Sequence, residues 1–354
     1  MRDRGNLASR TLQTGGGNGT VASLRVPFET LHAVMVDALL KTGMPADRAA
    51  LCARLFAETS RDGIASHGLN RFPRFLRMIA SGVIDVHARP ACVASAGALE
   101  RWNGRRGPGN LNARESMARA IALARLHGIG CVALAETNHW MRGGSYGWQA
   151  ADAGAIGLCW TNTLANVPPW GAADARIGNN PLVVAFPRRR GHVVIDMALS
   201  QFSVGALTQY AARGERLPVA GGYDADGRLS HDAVAVLASG RLLPVGSWKG
   251  SGLSIVLDLI AAALSAGQAT HQIPRDPESE TGLSQVFIAI DPATLGGEPG
   301  IDRLADAALA HLTAGPGDVR YPGARTLEVR ARSLRDGVEV EPATWAEVRA
   351  AAAG

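Results

Sequence analysis

Residues 129–135 read I-G-C-V-A-L-A. The run is apolar, partly β-branched, and has the length of a buried strand. Before it, residues 112–127 place Met117, Ala120, Ile121 and Ala124 at helical spacing, and Gly128 stops that helix. After it comes T-N-H-W-M-R-G-G-S-Y-G-W, residues 137–148, a polar cluster. A helix, a buried strand and polar residues at the strand's end form the pattern of an α/β protein, whose sites lie at strand ends.

The same alternation extends toward the C-terminus. Strands are expected at 155–160, 182–186, 192–197 and 285–290, and helices at 253–264, 302–312 and 344–352. Between them, L-P-V-A-G-G-Y-D-A-D-G at 217–227 is turn chemistry. Its Asp224 and Asp226 lack the remaining ligands of a calcium loop. Toward the N-terminus, helices are expected from Pro27 to Leu39, from Ala46 to Thr59 and from Arg71 to Ile79, with short strands near 91–93 and 99–102. Residues 1–23 have little periodic hydrophobicity and are expected to form a disordered tail.

The chain has 354 residues, room for more than one domain, and 47% hydrophobic residues, the ordinary level for a globular protein. Formal net charge is +5, but the arginines are dispersed, so no nucleic-acid partner is expected. Cys52, Cys92, Cys131 and Cys159 lack metal-ligand spacing and read as small buried hydrophobes in a reducing compartment. No membrane-spanning segment is read, and the expected location is the cytoplasm.

Three stretches carry candidate chemistry. In S-H-G-L-N-R-F-P-R-F, residues 66–75, a hydroxyl, an imidazole and a guanidinium fall within six positions. His67 can exchange a proton near neutral pH, Arg71 can hold a carboxylate, and Ser66 can hydrogen-bond either group. That set suits ketone reduction, where the oxygen becomes an alkoxide and takes a proton. From the residues alone, a structural role for His67 stays open. His139, in the cluster after the strand, has the same two readings. Trp248 and Lys249 lie in G-S-W-K-G-S-G before a helix, which suits either an anion or a plain turn. G-x-G-x-x-G after a strand, H-E-x-x-H and G-x-S-x-G are all absent, so a Rossmann fingerprint and a zinc site are not expected.

The runs S-H-G-L-N-R-F-P-R-F (66–75), N-H-W-M-R-G-G-S-Y-G-W-Q-A-A-D (138–152), P-P-W-G (168–171), R-I-G-N-N-P-L (176–182), I-D-M (195–197) and W-K-G-S-G (248–252) resemble the type 2 malate/L-lactate dehydrogenase family. The resemblance runs from about Val26 to the C-terminus. It implies a non-Rossmann dinucleotide-binding fold with a large mixed β-sheet and a helical domain built from N- and C-terminal segments. It implies reduction of a sugar-derived 2-keto acid with NAD or NADP, without metal, in a homodimer. The implied division is a helical substrate domain over 24–130, completed by 300–354, and a cofactor-binding sheet domain over 131–299. His67 matches the family's proton donor, and Ser66, Arg71 and His139 match active-site positions. Cofactor contacts are implied at His192, Val193, Val194, Ile195, Asp196, Met197 and Ala198, at Trp248 and Lys249, and at Gly323, Ala324 and Arg325. Arg325 departs from the pattern, which has glutamate there, and Asn179 stands where threonine is usual. The run Arg188-Arg189-Arg190 reads as a hairpin turn, with a 2′-phosphate seat as its other reading. The rival from another class is a non-catalytic binding protein that keeps the fold.

Overall fold

The computed structural model describes residues 24–296 and 298–354, so the expected tail at 1–23 lies outside the described residues. In chain order the elements are β1 (Leu24–Val26), α1 (Phe28–Leu40), α2 (Ala46–Arg61), α3 (Phe72–Ala80), β2 (Ala91–Ala96), β3 (Leu99–Asn103), α4 (Gly109–His127), β4 (Ile129–Asn138), α5 (Gly144–Asp152), β5 (Ile156–Thr161), β6 (Leu182–Phe186) and β7 (Val193–Met197). There follow α6 (Val204–Arg213), β8 (Gly222–Tyr223), β9 (Leu229–Ser230), α7 (Ala233–Ser239), α8 (Trp248–Ser265), β10 (Thr281–Ile290), α9 (Glu298–Thr313), α10 (Ala324–Asp336), β11 (Val338–Val340) and α11 (Pro342–Ala353).

The centre is a mixed sheet of seven strands in the order β2-β3-β4-β10-β5-β6-β7. Only β3 and β4 pair in parallel; the other neighbours are antiparallel. Successive side chains on a strand point to opposite faces. Val132 and Leu134 of β4, Phe287 of β10, Val183 of β6 and Val194 of β7 therefore share one face with α4 and α5. Ala133, Val286, Leu182 and Met197 share the other with α8. Both faces are covered, which is why residues 129–135 carry no polar position. Gly130 lets α4 approach β4: an added Cβ would stand 2.8 Å from the backbone nitrogen of Ala124.

The helical layer packs Leu31, Met35, Phe56, Phe72 and Phe75 with Val338, Val340 and Trp345 from the far end of the chain. Antiparallel pairing of β1 with β11, Leu24↔Val340 to Val26↔Val338, joins the two ends. The sheet takes β2 and β3 from inside the segment that the sequence reading allots to the helical domain. The parallel pairing Leu99↔Cys131 recruits them, and this long-range pairing leaves no local pattern to read. The segment 300–354 serves both layers: Trp345 packs in the helical core and Leu327 against the sheet.

The expectation that all four cysteines are buried is corrected. Cys92 is exposed on the edge strand β2, and Cys131 is only partly buried. The helix α8 has the length and apolarity of a membrane-spanning segment, yet Leu257 and Ala261 pack it on the sheet.

Candidate active site

The helix α2 ends at Arg61, and two short 3₁₀ turns follow, Ala65–His67 and Leu69–Arg71, before α3 begins. Gly68 separates them. A Cβ there would stand 2.8 Å from the backbone nitrogen of Ser60, so only glycine lets the loop lie against α2. Ser60 Oγ accepts the Leu69 N–H at 2.8 Å and pins the loop.

This loop presents His67, whose Nδ1 lies 3.0 Å from Ser66 Oγ. The His67 and His139 rings stack with centroids 5.7 Å apart and planes at 21°. His139 arrives from the turn after β4. The Met141 N–H donates to His139 Nδ1 at 3.0 Å, so the neutral ring carries its proton on Nε2. Met141 holds φ +65, a left-handed backbone at a non-glycine residue. Burial, and then the Arg71 and Arg142 charges, push His67 down to about 4. His139 is pushed well below the usual histidine range by burial first, then by Arg71 and His67.

Arg71 does not stand alone. Its Nη2 lies 3.5 Å from Glu280 Oε2, with side chains 17% and 4% exposed. Burial raises the Glu280 carboxyl and outweighs the lowering by Arg71. Arg71 Nε is buried without a partner, which leaves it a donor to offer. Glu280, 209 positions away in the chain and just before β10, carried no signal in the sequence.

Beside the histidines a cleft of about 280 Å³ opens between β7, α5 and the start of α10, lined by Ile64, Arg142, Trp148, Val194, Ile195, Asp196, Pro322, Gly323 and Thr326. Val194, Ile195, Asp196 and Gly323 were expected at a cofactor site. His192 does not line the cleft; its ring lies against Trp148 with centroids 5.5 Å apart and planes tilted at 54°. Val193, Met197 and Ala198 flank the lining without joining it, as do Ala324 and Arg325 at the start of α10. Trp248 and Lys249 begin α8, which packs on the other face of the sheet, and they do not line the cleft. Arg142, Trp148 and Thr326 were not singled out; Arg142 was visible only as positive charge after His139.

The cleft fits a dinucleotide in two respects. Arg142 Nε is buried there without a partner. Gly323 has φ +99, and an added Cβ would lie 3.2 Å from Val194 N, so its backbone approaches β7 closely. The arginine run is otherwise engaged: Arg188 Nε meets Asp306 at 2.6 Å and Arg189 Nε meets Asp302 at 3.2 Å. Among the described residues no cluster of histidine, cysteine, aspartate or glutamate is arranged to hold a metal ion.

The family model for malate/L-lactate dehydrogenase matches residues 26–349. The chain belongs to the malate/L-lactate dehydrogenase family. Its relatives include a 2,3-diketo-L-gulonate reductase from Shigella boydii, 44% identical over 332 residues, which span 92% of this chain and 100% of that protein. Among solved structures, sulfolactate dehydrogenase from Methanocaldococcus jannaschii superposes with TM-score 0.86 at 25% identity, covering 93% of this chain and 96% of that one. Delta1-piperideine-2-carboxylate reductase from Pseudomonas syringae superposes with TM-score 0.83 at 28% identity, covering 93% and 99%. This member of the malate/L-lactate dehydrogenase family is therefore an oxidoreductase, and the reading as a non-catalytic binding protein loses its ground. Membership also implies a nicotinamide cofactor.

Proposed function

We propose that the chain reduces 2,3-diketo-L-gulonate to 3-dehydro-L-gulonate with NADH or NADPH, and that His67 supplies the proton. The relative at 44% identity supports the substrate. The observation that carries the chemistry is the His67–His139 stack, set beside Arg71 on one side and the cleft on the other. The bound cofactor supplies the hydride.

Arg71 holds the substrate carboxylate through the donors that Glu280 leaves free. His67 gives its proton to the carbonyl oxygen from Nε2, because Nδ1 is engaged with Ser66. In the imidazolium, the Nδ1–H donates to Ser66 Oγ. His139 offers its Nε2–H to the substrate's carbonyl oxygen. In the free protein His67 is neutral at pH 7, since two arginines and burial disfavour its charge. A carboxylate seated on Arg71 offsets that repulsion, so substrate binding itself raises the proton affinity of His67.

In this reading the helical layer holds the substrate and the sheet holds the cofactor in the cleft beside Val194–Asp196 and Gly323. The ion pairs of Arg188 and Arg189 with α9 support a structural role for the arginine run. The partner is a second copy of this chain. The outer side of α8 leaves Trp248 64% and Leu259 59% exposed, with Trp170 tied alongside by its N–H to Ser251 Oγ. So large an apolar face is covered in a stable protein. The four free thiols support a cytoplasmic location. No nucleic-acid or membrane partner is proposed.

The test is oxidation of NADH and of NADPH with a panel of acceptors: 2,3-diketo-L-gulonate, the keto acids of malate, lactate and ureidoglycolate (oxaloacetate, pyruvate and oxalurate), and piperideine-2-carboxylate. The proposal expects the diketo acid to give the highest kcat/KM. A higher value for any other acid assigns the chain that substrate.

A further inference from the structure

The cleft's lining holds one cation, Arg142, among the described residues. Its side chain is 6% exposed, and Nη1 is gripped by Asp62 Oδ2 at 2.6 Å. Asp62 is itself buried and is shared among three guanidiniums. Arg330 meets it through two hydrogen bonds of 2.8 Å, and Arg61 Nε meets Oδ1 at 2.9 Å. Of the neighbouring carboxylates, Glu58 is engaged with Arg54 and Arg61, while Asp196 lines the cleft beside Arg142 and feels its charge, its Oδ2 taking the Gly144 N–H at 2.8 Å and no hydrogen bond from Arg142 Nε. One carboxylate cannot satisfy three forked donors, and the unmet share includes Arg142 Nε. A buried, unpartnered N–H of a guanidinium costs free energy unless an anion completes it.

Position in the cleft says which anion. Arg142 follows His139 by three residues, and its charge reaches His67. On its other side lie Trp148, with Arg330 stacked 4.5 Å over its ring, and then Gly323. Arg142 thus stands between the proton-transfer pair and the far end of the cleft. A dinucleotide laid along this cleft with its reactive ring at His67 brings its middle, the diphosphate, to this cation.

We infer that Arg142, held by Asp62, is the seat for the diphosphate of the dinucleotide cofactor. This rests on the cofactor reading given above. Arg142 contacts the ligand; Asp62 acts through Arg142 and is a positioning residue.

The test is equilibrium binding of NADH by fluorescence, with ADP-ribose and adenosine as competitors, on the full chain and on Arg142→Met, Arg142→Lys and Arg330→Met. Arg330→Met also removes one of Asp62's partners but takes nothing from the cleft lining. In Arg142→Met, NADH and ADP-ribose affinities fall about 10- to 100-fold, the size of a lost charge-assisted contact, while adenosine changes less than about 2-fold. Arg142→Lys recovers part of the loss, and Arg330→Met shows less of it. An equal loss for adenosine, or an equal loss in Arg330→Met, overturns the seat and leaves a structural cluster. If the unaltered chain binds neither NADH nor ADP-ribose, the cofactor reading itself fails.

Discussion

His67 and His139 face one another as stacked rings, 5.7 Å between centroids, although 72 positions separate them in the chain. Each ring is held at Nδ1 by a local partner, Ser66 Oγ for one and the Met141 N–H for the other. Both therefore keep Nε2 for the substrate, and neither can protonate without raising the charge beside Arg71 and Arg142. The pair couples a proton transfer to the arrival of an anion.

That coupling sets a pH profile. Reduction needs the protonated form, and His67 in the free protein is held down to about 4. The kcat/KM for reduction therefore falls as pH rises across the neutral range. For oxidation of the hydroxy acid the neutral ring is the base, so kcat/KM is flat above about pH 5. With substrate on Arg71 the proton affinity rises, and kcat for reduction begins to fall at a higher pH than kcat/KM. Steady-state rates in both directions from pH 5 to 9 check this; coincident profiles for kcat and kcat/KM would count against the coupling.

Arg71→Met should raise KM for the keto acid roughly 10- to 100-fold, the size of a lost charge-assisted hydrogen-bond set, and change NADH binding little. It also strands the Glu280 carboxylate. Adding Glu280→Gln should recover stability without recovering KM. A parent-like KM in Arg71→Met removes the carboxylate clamp.

Gly68→Ala places a methyl group against the Ser60 backbone. Overpacking of this kind costs about 1–3 kcal/mol. The loop must move, and His67 moves with it, so kcat falls more than the thermal midpoint suggests. Unfolding and single-turnover rates measured together check it.

Asp62→Asn leaves three guanidiniums without their counter-ion and should destabilise the fold by about 3–5 kcal/mol, read from urea unfolding at pH 7. The arginines hold the Asp62 carboxyl at about 2, below its unfolded value. Its contribution is therefore complete above about pH 4 and is lost as pH falls through 2. The variant should show a flatter stability curve over that window.

Much of the fold was legible because its strands are buried on both faces and its helices keep regular spacing. Residues 129–135 and 112–127 are the clearest cases. What escaped is the pairing across the chain, β3 with β4 and β1 with β11, together with α5, whose Gly144 and Gly147 hide its period, and α10, which is polar nearly all round. The site divides the same way. His67, Arg71 and His139 sit in recognisable local runs. Glu280, Asp62 and Trp148 gain meaning only from what lies opposite them, and Asp62 looked like the end of a helix. Trp248 and Lys249 stood out in the sequence, yet they begin a helix on the far face of the sheet from the cleft.

The central claim is that His67 donates the proton, and single-turnover oxidation of NADH by 2,3-diketo-L-gulonate in His67→Ala tests it most directly. The account predicts a rate about 10²- to 10⁴-fold below the parent near neutral pH, with NADH binding unchanged and the pH dependence of the parent abolished. A rate within a few-fold of the parent from pH 5 to 9 would contradict it.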